Sequence, residues 1–333
     1  MERIAPFMLA HPATLAEAAR LLASAPDARL LAGGTDLLPN LRDGLGKPRT
    51  LIDLGGIAGF DRIAVADGGT IIGAGVTLAR LAADAGIRRT LPVLVEAANA
   101  IAAPAHRSVA TVGGNLCLDT RCVFYNQSEW WRWSNDYCLK HGGETCHVAP
   151  QGDHCHAAFA GDLAPALLVL GADVDIVGPR GARHMPLGEL YADDGARHLT
   201  LAAGEILAAV RVPQQPPHAR AGYRKARVRG AIDFPLAGVA ARVTVVDGVL
   251  AALAVALTGT NSRPFAVEGT AELTGRPVDD EMQRAIGTHV QRQASPMRTT
   301  VTHSNYRRQV AAVLAQRLVR ALAQSDDERE GID

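Results

Sequence analysis

The chain has 333 residues, 48% hydrophobic and 4% aromatic, with 34 Lys and Arg against 34 Asp and Glu. That length supports roughly two or three compact domains with their own cores. A net charge of zero excludes the bulk field that draws nucleic acid or anionic lipid, leaving small ligands and protein partners.

The opening MERIAPFMLAHPATLAEAARLL carries charge before any long apolar run, so neither a secretory signal nor a membrane span is expected there. The expected setting is cytoplasmic. In that reducing compartment the five cysteines point to metal or redox chemistry rather than to disulfides.

Thr14 followed by Glu17 forms a capping box, and Leu15, Ala18, Ala19 and Leu22 share one face of the helix it starts. ARLLAGGTDLL predicts a strand ending in a Gly-Gly turn. LIDL and TIIGAGVTLARL read as buried strands, the second delivered to Thr77 as a helix N-cap. Residues 92 to 104 predict a helix that stops near Pro104. SVATVGGNLCLD reads as another strand-turn with paired glycines.

The segment from 122 to 155 then holds four of the five cysteines and all three tryptophans. A structureless connection this long is usually functional. Regular structure resumes at Asp162, a candidate cap for DLAPALLVLG. VPQQPPHARAG near residue 217 predicts a linker. Asp247-Gly248 predicts a hairpin joining two strands, and helices rich in Ala, Leu and Arg close the chain before an acidic tail.

AGGTDLLP and ATVGGN place Gly33, Gly34, Gly113 and Gly114 where main-chain N–H groups can converge on an anion such as a pyrophosphate. For either pair alone a tight strand turn is the competing reading. Neither fits G-x-G-x-x-G, which disfavours a Rossmann-type site.

The two turns, with GAGVTLARL between them and AGDLAPALL after, resemble the FAD-binding subunit of molybdenum enzymes of the xanthine dehydrogenase and carbon monoxide dehydrogenase type, over nearly the whole chain. The resemblance implies an α+β fold in which two subdomains, of the p-cresol methylhydroxylase/vanillyl-alcohol oxidase type, hold FAD between them within residues 1–217. It implies a smaller C-terminal α+β domain, an antiparallel sheet with helices, over 221–325, and a tail over 326–333. It also places Ala32, Gly33, Gly34, Thr35 and Asp36 around the FAD pyrophosphate, with Thr111, Gly113, Gly114 and Asn115 against the cofactor. Asp162 is implied near the ribityl chain and Lys225 near the flavin. A solvated strand lysine is the rival reading of Lys225.

Most members of that family pass from GGN through a short segment to the Asp-capped helix. The insert at about 117–157, with GGNLCLDTRC, FYNQSEWWR and three further cysteines, is similar to the flavin subunit of the branch that reduces aromatic CoA thioesters. That branch carries an extra [4Fe–4S] cluster. Cys122, Cys138, Cys146 and Cys155, with 15, 7 and 8 residues between them, are the candidate ligands, and Cys117 is read as packing beneath the flavin. A structural zinc site competes, although no two of these four cysteines form a C-x₂₋₄-C pair. His141, His147, His154 and His156 read as loop residues. Trp130, Trp131 and Trp133, with Phe124, Tyr125 and Tyr137, read as a private core for the loop.

The implied partners are a molybdenum-cofactor large subunit and a small subunit with two [2Fe–2S] centres, with ferredoxin as electron donor and no catalytic residue on this chain. An oxidising hydroxylase subunit that discharges electrons to an outside acceptor, and a scaffold with a zinc-pinned loop, are the alternatives.

Overall fold

The computed structural model describes residues 4–66, 68–299 and 302–324. The acidic tail expected at 326–333 lies outside the described residues. Three sheets organise the chain. Strand Thr50–Asp53 sits between Met8–Ala10 and Ala28–Leu31, all parallel. Helix Leu15–Ser24 starts at Thr14, whose hydroxyl accepts from Glu17 N, while the Glu17 carboxylate accepts from Ala13 N. It sinks Ala18 and Ala19 into the core.

A five-stranded antiparallel sheet follows, in the order Ile63–Ala66, Gly69–Gly73, Ile206–Val212, Asp173–Gly178 and Gly181–Pro186. Thr77 caps helix Leu78–Ala83 as expected. The helix predicted at 92–104 is Pro92–Ala100, and Pro104 opens a further short helix, Pro104–Arg107. The three- and five-stranded sheets share one hydrophobic core.

Beyond the linker, Arg220–Ala226, Ala237–Val246, Val249–Thr258 and Phe265–Ala266 form an antiparallel sheet under helices Asp280–Gln293 and Ser304–Ala323. Asp247 and Gly248 both take positive φ, 50° and 77°, as a two-residue hairpin turn matched to strand twist requires. Alternation sorts this sheet's residues: Val239, Ala241 and Val243 belong to the core under the helices, while Ala240, Ala256 and Tyr223 belong to the first core. Helix Leu163–Val169 is buried along nearly its whole length. Its apolar surroundings join the two cores, so the C-terminal domain is fixed against the first.

Two local expectations are corrected. Residues Val112–Leu116 form a short helix, not a strand-turn, because the Thr111 hydroxyl accepts from Gly114 N at 3.0 Å and caps a turn of helix there. The cysteine segment is not structureless either, since Ser128 caps helix Glu129–Ser134.

Candidate functional site

A cleft of about 710 Å³ runs along the first domain and is closed at one side by the loop after strand Arg220–Ala226. Ala32, Gly33, Gly34, Thr35, Asp36, Thr111, Gly113, Gly114, Asn115, Asp162 and Lys225 all line it. Close approach of the two glycine turns explains their composition. A Cβ on Gly33 would strike the Val109 carbonyl and come within 2.9 Å of Ala110 Cα, and one on Gly113 would meet Ala74 Cβ at 2.8 Å. Gly34 takes φ +69°, a conformation that glycine adopts without cost.

The first turn therefore packs on the segment leading into the second, and the second packs on Ala74, with glycine backbone from both along the cleft. Apolar walls from Phe60, Leu78, Leu199, Leu201 and Phe234 complete it. A bare-backbone cradle beside apolar walls suits a dinucleotide with a flat ring system. Gly33→Ala is expected to wedge the turns apart, costing about 1–3 kcal/mol by overpacking and lowering both melting temperature and bound flavin. An unchanged melting curve would show that the turns separate freely.

Asp162 occupies the N-cap position of its helix, but its carboxylate makes no cap. Asn115 takes that task, its Oδ1 accepting from Leu163 N at 3.0 Å. The freed Asp162 carboxylate accepts from the Tyr223 hydroxyl and from Lys225 Nζ at 3.0 Å, and Lys225 also donates to Ala100 O at 3.1 Å. Both charged side chains are 4% exposed, so the solvated-lysine reading is overturned. Burial raises the Asp162 carboxyl above its usual range against the opposing pull of Lys225 and Tyr223. Burial likewise pushes the Tyr223 hydroxyl well up, which keeps it a hydrogen-bond donor.

The cysteine loop leaves and rejoins the domain at an antiparallel bridge between Arg121 and Ala158. Its centre is not the indole cluster expected. Trp130 and Trp133 are 69% and 62% exposed, because they share the outer face of a six-residue helix at i, i+3 spacing. Arg132, 2% exposed, fills the inside. It pairs with Glu129 at 2.8 Å and donates to the carbonyls of Asp43, Tyr125 and Gln127. Phe124 packs against Trp131 and stacks on His147, and His141 makes ring contacts with Tyr125 and Tyr137.

Cys138, Cys146 and Cys155 are buried and Cys122 is half-buried, all as free thiols. Burial raises Cys122, with Cys138 and Cys146 pushing it further, and burial lifts Cys155 to about 12, with Cys146 and Cys122 adding to the effect. Cys122 thus lies within electrostatic range of Cys138, Cys146 and Cys155. Among the described residues no three His, Cys, Asp or Glu side chains converge on a single-ion position. Main-chain N–H groups of Phe124 and Ala157 point at Cys122 Sγ and Cys155 Sγ, each at 3.4 Å. Such donors stabilise sulfur carrying negative charge, so at Cys122 and Cys155 they favour the thiolate against the opposing effect of burial. Cys117 stands apart, lining the cleft, with its thiol raised to about 12 by burial.

His106, Arg121, Phe234 and the Leu199–Leu201 wall also line the cleft and were not singled out from sequence. Arg121 had one signal, its place directly before Cys122. The others arrive from distant chain segments without periodic or motif cues. A second cavity of about 660 Å³, lined by Arg89, Glu96, Arg220, Arg224 and Arg242 among others, opens elsewhere at the domain interface and holds none of the predicted site residues.

The fold and cleft define a two-part flavin-binding domain with an appended α+β domain. Residues 5–215 match the FAD-binding domain of molybdopterin dehydrogenase, and residues 221–322 match the CO dehydrogenase flavoprotein C-terminal domain. The chain belongs to this family of FAD-binding subunits of molybdenum-dependent oxidoreductases. It is 29% identical over 311 residues, 92% of each chain, to a putative xanthine dehydrogenase FAD-binding subunit of Escherichia coli strain K12. It is 36% identical over 265 residues, 77% of this chain and 81% of the other, to an aldehyde oxidoreductase FAD-binding subunit of the same organism. The fold matches a chain of reconstituted CO dehydrogenase from Oligotropha carboxidovorans with a TM-score of 0.80 at 24% identity, covering 97% of this chain and 99% of that one. Among the described residues no helix is long and apolar enough to cross a membrane.

Proposed function

We propose that this chain is the electron-transfer subunit of a cytoplasmic enzyme of the 4-hydroxybenzoyl-CoA reductase type, holding both FAD and a [4Fe–4S] cluster. Its partners are a molybdenum-cofactor large subunit and a small subunit with two [2Fe–2S] centres, and the electron donor is ferredoxin. The observation that carries this reading is the set of four free cysteines in one loop, two of them receiving N–H···S bonds, beside the flavin cleft.

When bound, FAD exchanges electrons singly or in pairs and an iron–sulfur cluster exchanges them one at a time. The chain's own residues bind and orient. The glycine turns offer backbone to the pyrophosphate, Asp162 and Lys225 hold a neutralised charge pair at the cleft wall, and Cys122, Cys138, Cys146 and Cys155 supply thiolates. The dehydroxylation of the thioester's ring takes place on the large subunit. An oxidising subunit that discharges electrons to an outside acceptor gives the four-cysteine loop no task.

Low-temperature EPR of the reduced native complex, with iron, acid-labile sulfide and flavin quantified, tests the proposal. The expected result is a [4Fe–4S] signal in addition to those of the two [2Fe–2S] centres. Zinc in place of iron in the loop, or a purified chain without colour, sinks it. The flavin is expected to be held without a covalent bond, since neither glycine motif contains His or Cys. Acid precipitation should therefore release it to the supernatant, and flavin retained in the pellet would contradict this.

A further inference from the structure

Arg121 belongs to both candidate sites at once. Its main chain exchanges two hydrogen bonds with Ala158, each 2.8 Å, closing the neck of the cysteine loop, and Cys122 follows it directly. Its side chain turns into the flavin cleft. There the guanidinium pairs with Asp36, donates to Asn40 Oδ1 at 2.9 Å and lies 5.0 Å over the Phe234 ring.

Each hydrogen-bond partner takes one N–H of a terminal nitrogen, which leaves a second N–H on each. Arg121 Nε is buried and without a hydrogen-bond partner among the described residues. Nε is closed off by surrounding atoms, whereas the second N–H of each terminal nitrogen belongs to a side chain that lines the cleft, where a ligand can supply the acceptor.

Asp36 fits the same arrangement. Its carboxylate accepts from Asp119 N at 3.2 Å as well as from Arg121, so it anchors the approach to the loop. A bare carboxylate in an anion-binding turn would repel a pyrophosphate, and pairing with Arg121 removes that repulsion.

We propose that Arg121 is a positioning residue that couples the flavin cleft to the cysteine loop. Its guanidinium donates to an oxygen of bound FAD, and through the Arg121–Ala158 bridge that contact fixes the neck of the segment carrying Cys122 and Cys155. The inference rests on the reading of the cleft as the FAD site.

The test uses the full chain stripped of flavin and titrated with FAD, with affinity read from flavin fluorescence. Amide exchange across residues 119–158 is followed with and without FAD in wild type, Arg121→Gln and Arg121→Lys. In wild type, FAD is expected to slow exchange at the neck. Both variants should bind FAD about ten- to a hundredfold more weakly, the range that a charge-assisted hydrogen bond supports, and should lose the FAD-dependent protection.

Arg121→Lys keeps a cation facing Asp36 and is expected to melt close to wild type, so it decides the matter if Arg121→Gln fails to fold. Wild-type affinity in Arg121→Lys overturns the guanidinium contact. Weakened affinity with protection of the neck intact overturns the coupling. Absence of FAD binding in wild type removes the cleft assignment and this inference with it.

Discussion

Replacing Cys122, Cys138, Cys146 or Cys155 with serine should each remove or cripple the [4Fe–4S] signal while FAD largely stays bound. Thiolates are part of the cluster's own bonding, and a serine hydroxyl is a poor substitute on iron. Burial first, with Cys146 and Cys122 adding to it, pushes the Cys155 thiol up to about 12, and a positive centre bound there would favour the thiolate. The glycines of the proposed FAD cradle, Gly33, Gly34, Gly113 and Gly114, line the cleft from outside the loop, which is why the two losses should separate. Cys117→Ser is the control, because this cysteine lines the cleft as a small hydrophobe. It should keep the cluster and at most disturb flavin packing. Iron content and EPR of the five variants give the answer. A Cys117→Ser variant without cluster, beside one of the other four with its cluster intact, would falsify the ligand set.

Lys225→Met should destabilise the chain by about 3–5 kcal/mol, as breaking one partner of a buried ion pair does, and should release FAD. The loss is large because Asp162, 4% exposed at its side chain, would keep only the Tyr223 hydroxyl as partner. Replacing both partners, Asp162→Leu with Lys225→Met, should recover most of the stability, since apolar residues of similar size often match a buried pair. Flavin affinity should not return with it, because both side chains line the cleft. Chemical denaturation and flavin titration on the single and double variants separate the two effects. If the double variant also regains flavin, the pair serves folding alone.

The exposed indoles and the buried arginine of the cysteine loop follow from one geometric constraint. A helix as short as Glu129–Ser134 can turn only one face inward, and the carbonyls gathered there, from Asp43, Tyr125 and Gln127, are satisfied by Arg132. Burying indole against those carbonyls would leave acceptors unmet. The loop is thereby tied to Asp43, which ends helix Leu37–Arg42 just beyond the first glycine turn.

Local chemistry fixes much of this protein from sequence. The Thr14 and Thr77 caps, the Asp247-Gly248 hairpin and the glycine pairs each depend on residues within a few positions of one another, so their short-range energetics are legible in order along the chain. The cysteine spacing and the composition of the two turns likewise pointed to two neighbouring sites. Tertiary structure decided what those residues face. Asp162 stands where a cap belongs, but Asn115, 47 positions before it in sequence, reaches the helix end first and frees the carboxylate for Lys225. Lys225 is buried because strand Arg220–Ala226 packs beside helix Pro92–Ala100, whose Ala100 carbonyl it reaches, a contact that no local pattern encodes. Gly33 needs its missing Cβ because of Val109, and Arg121 joins the two sites because its backbone pairs with Ala158 while its side chain reaches Asp36. Each is a meeting of distant segments, fixed by how the cores pack and not by the preferences of the residues themselves.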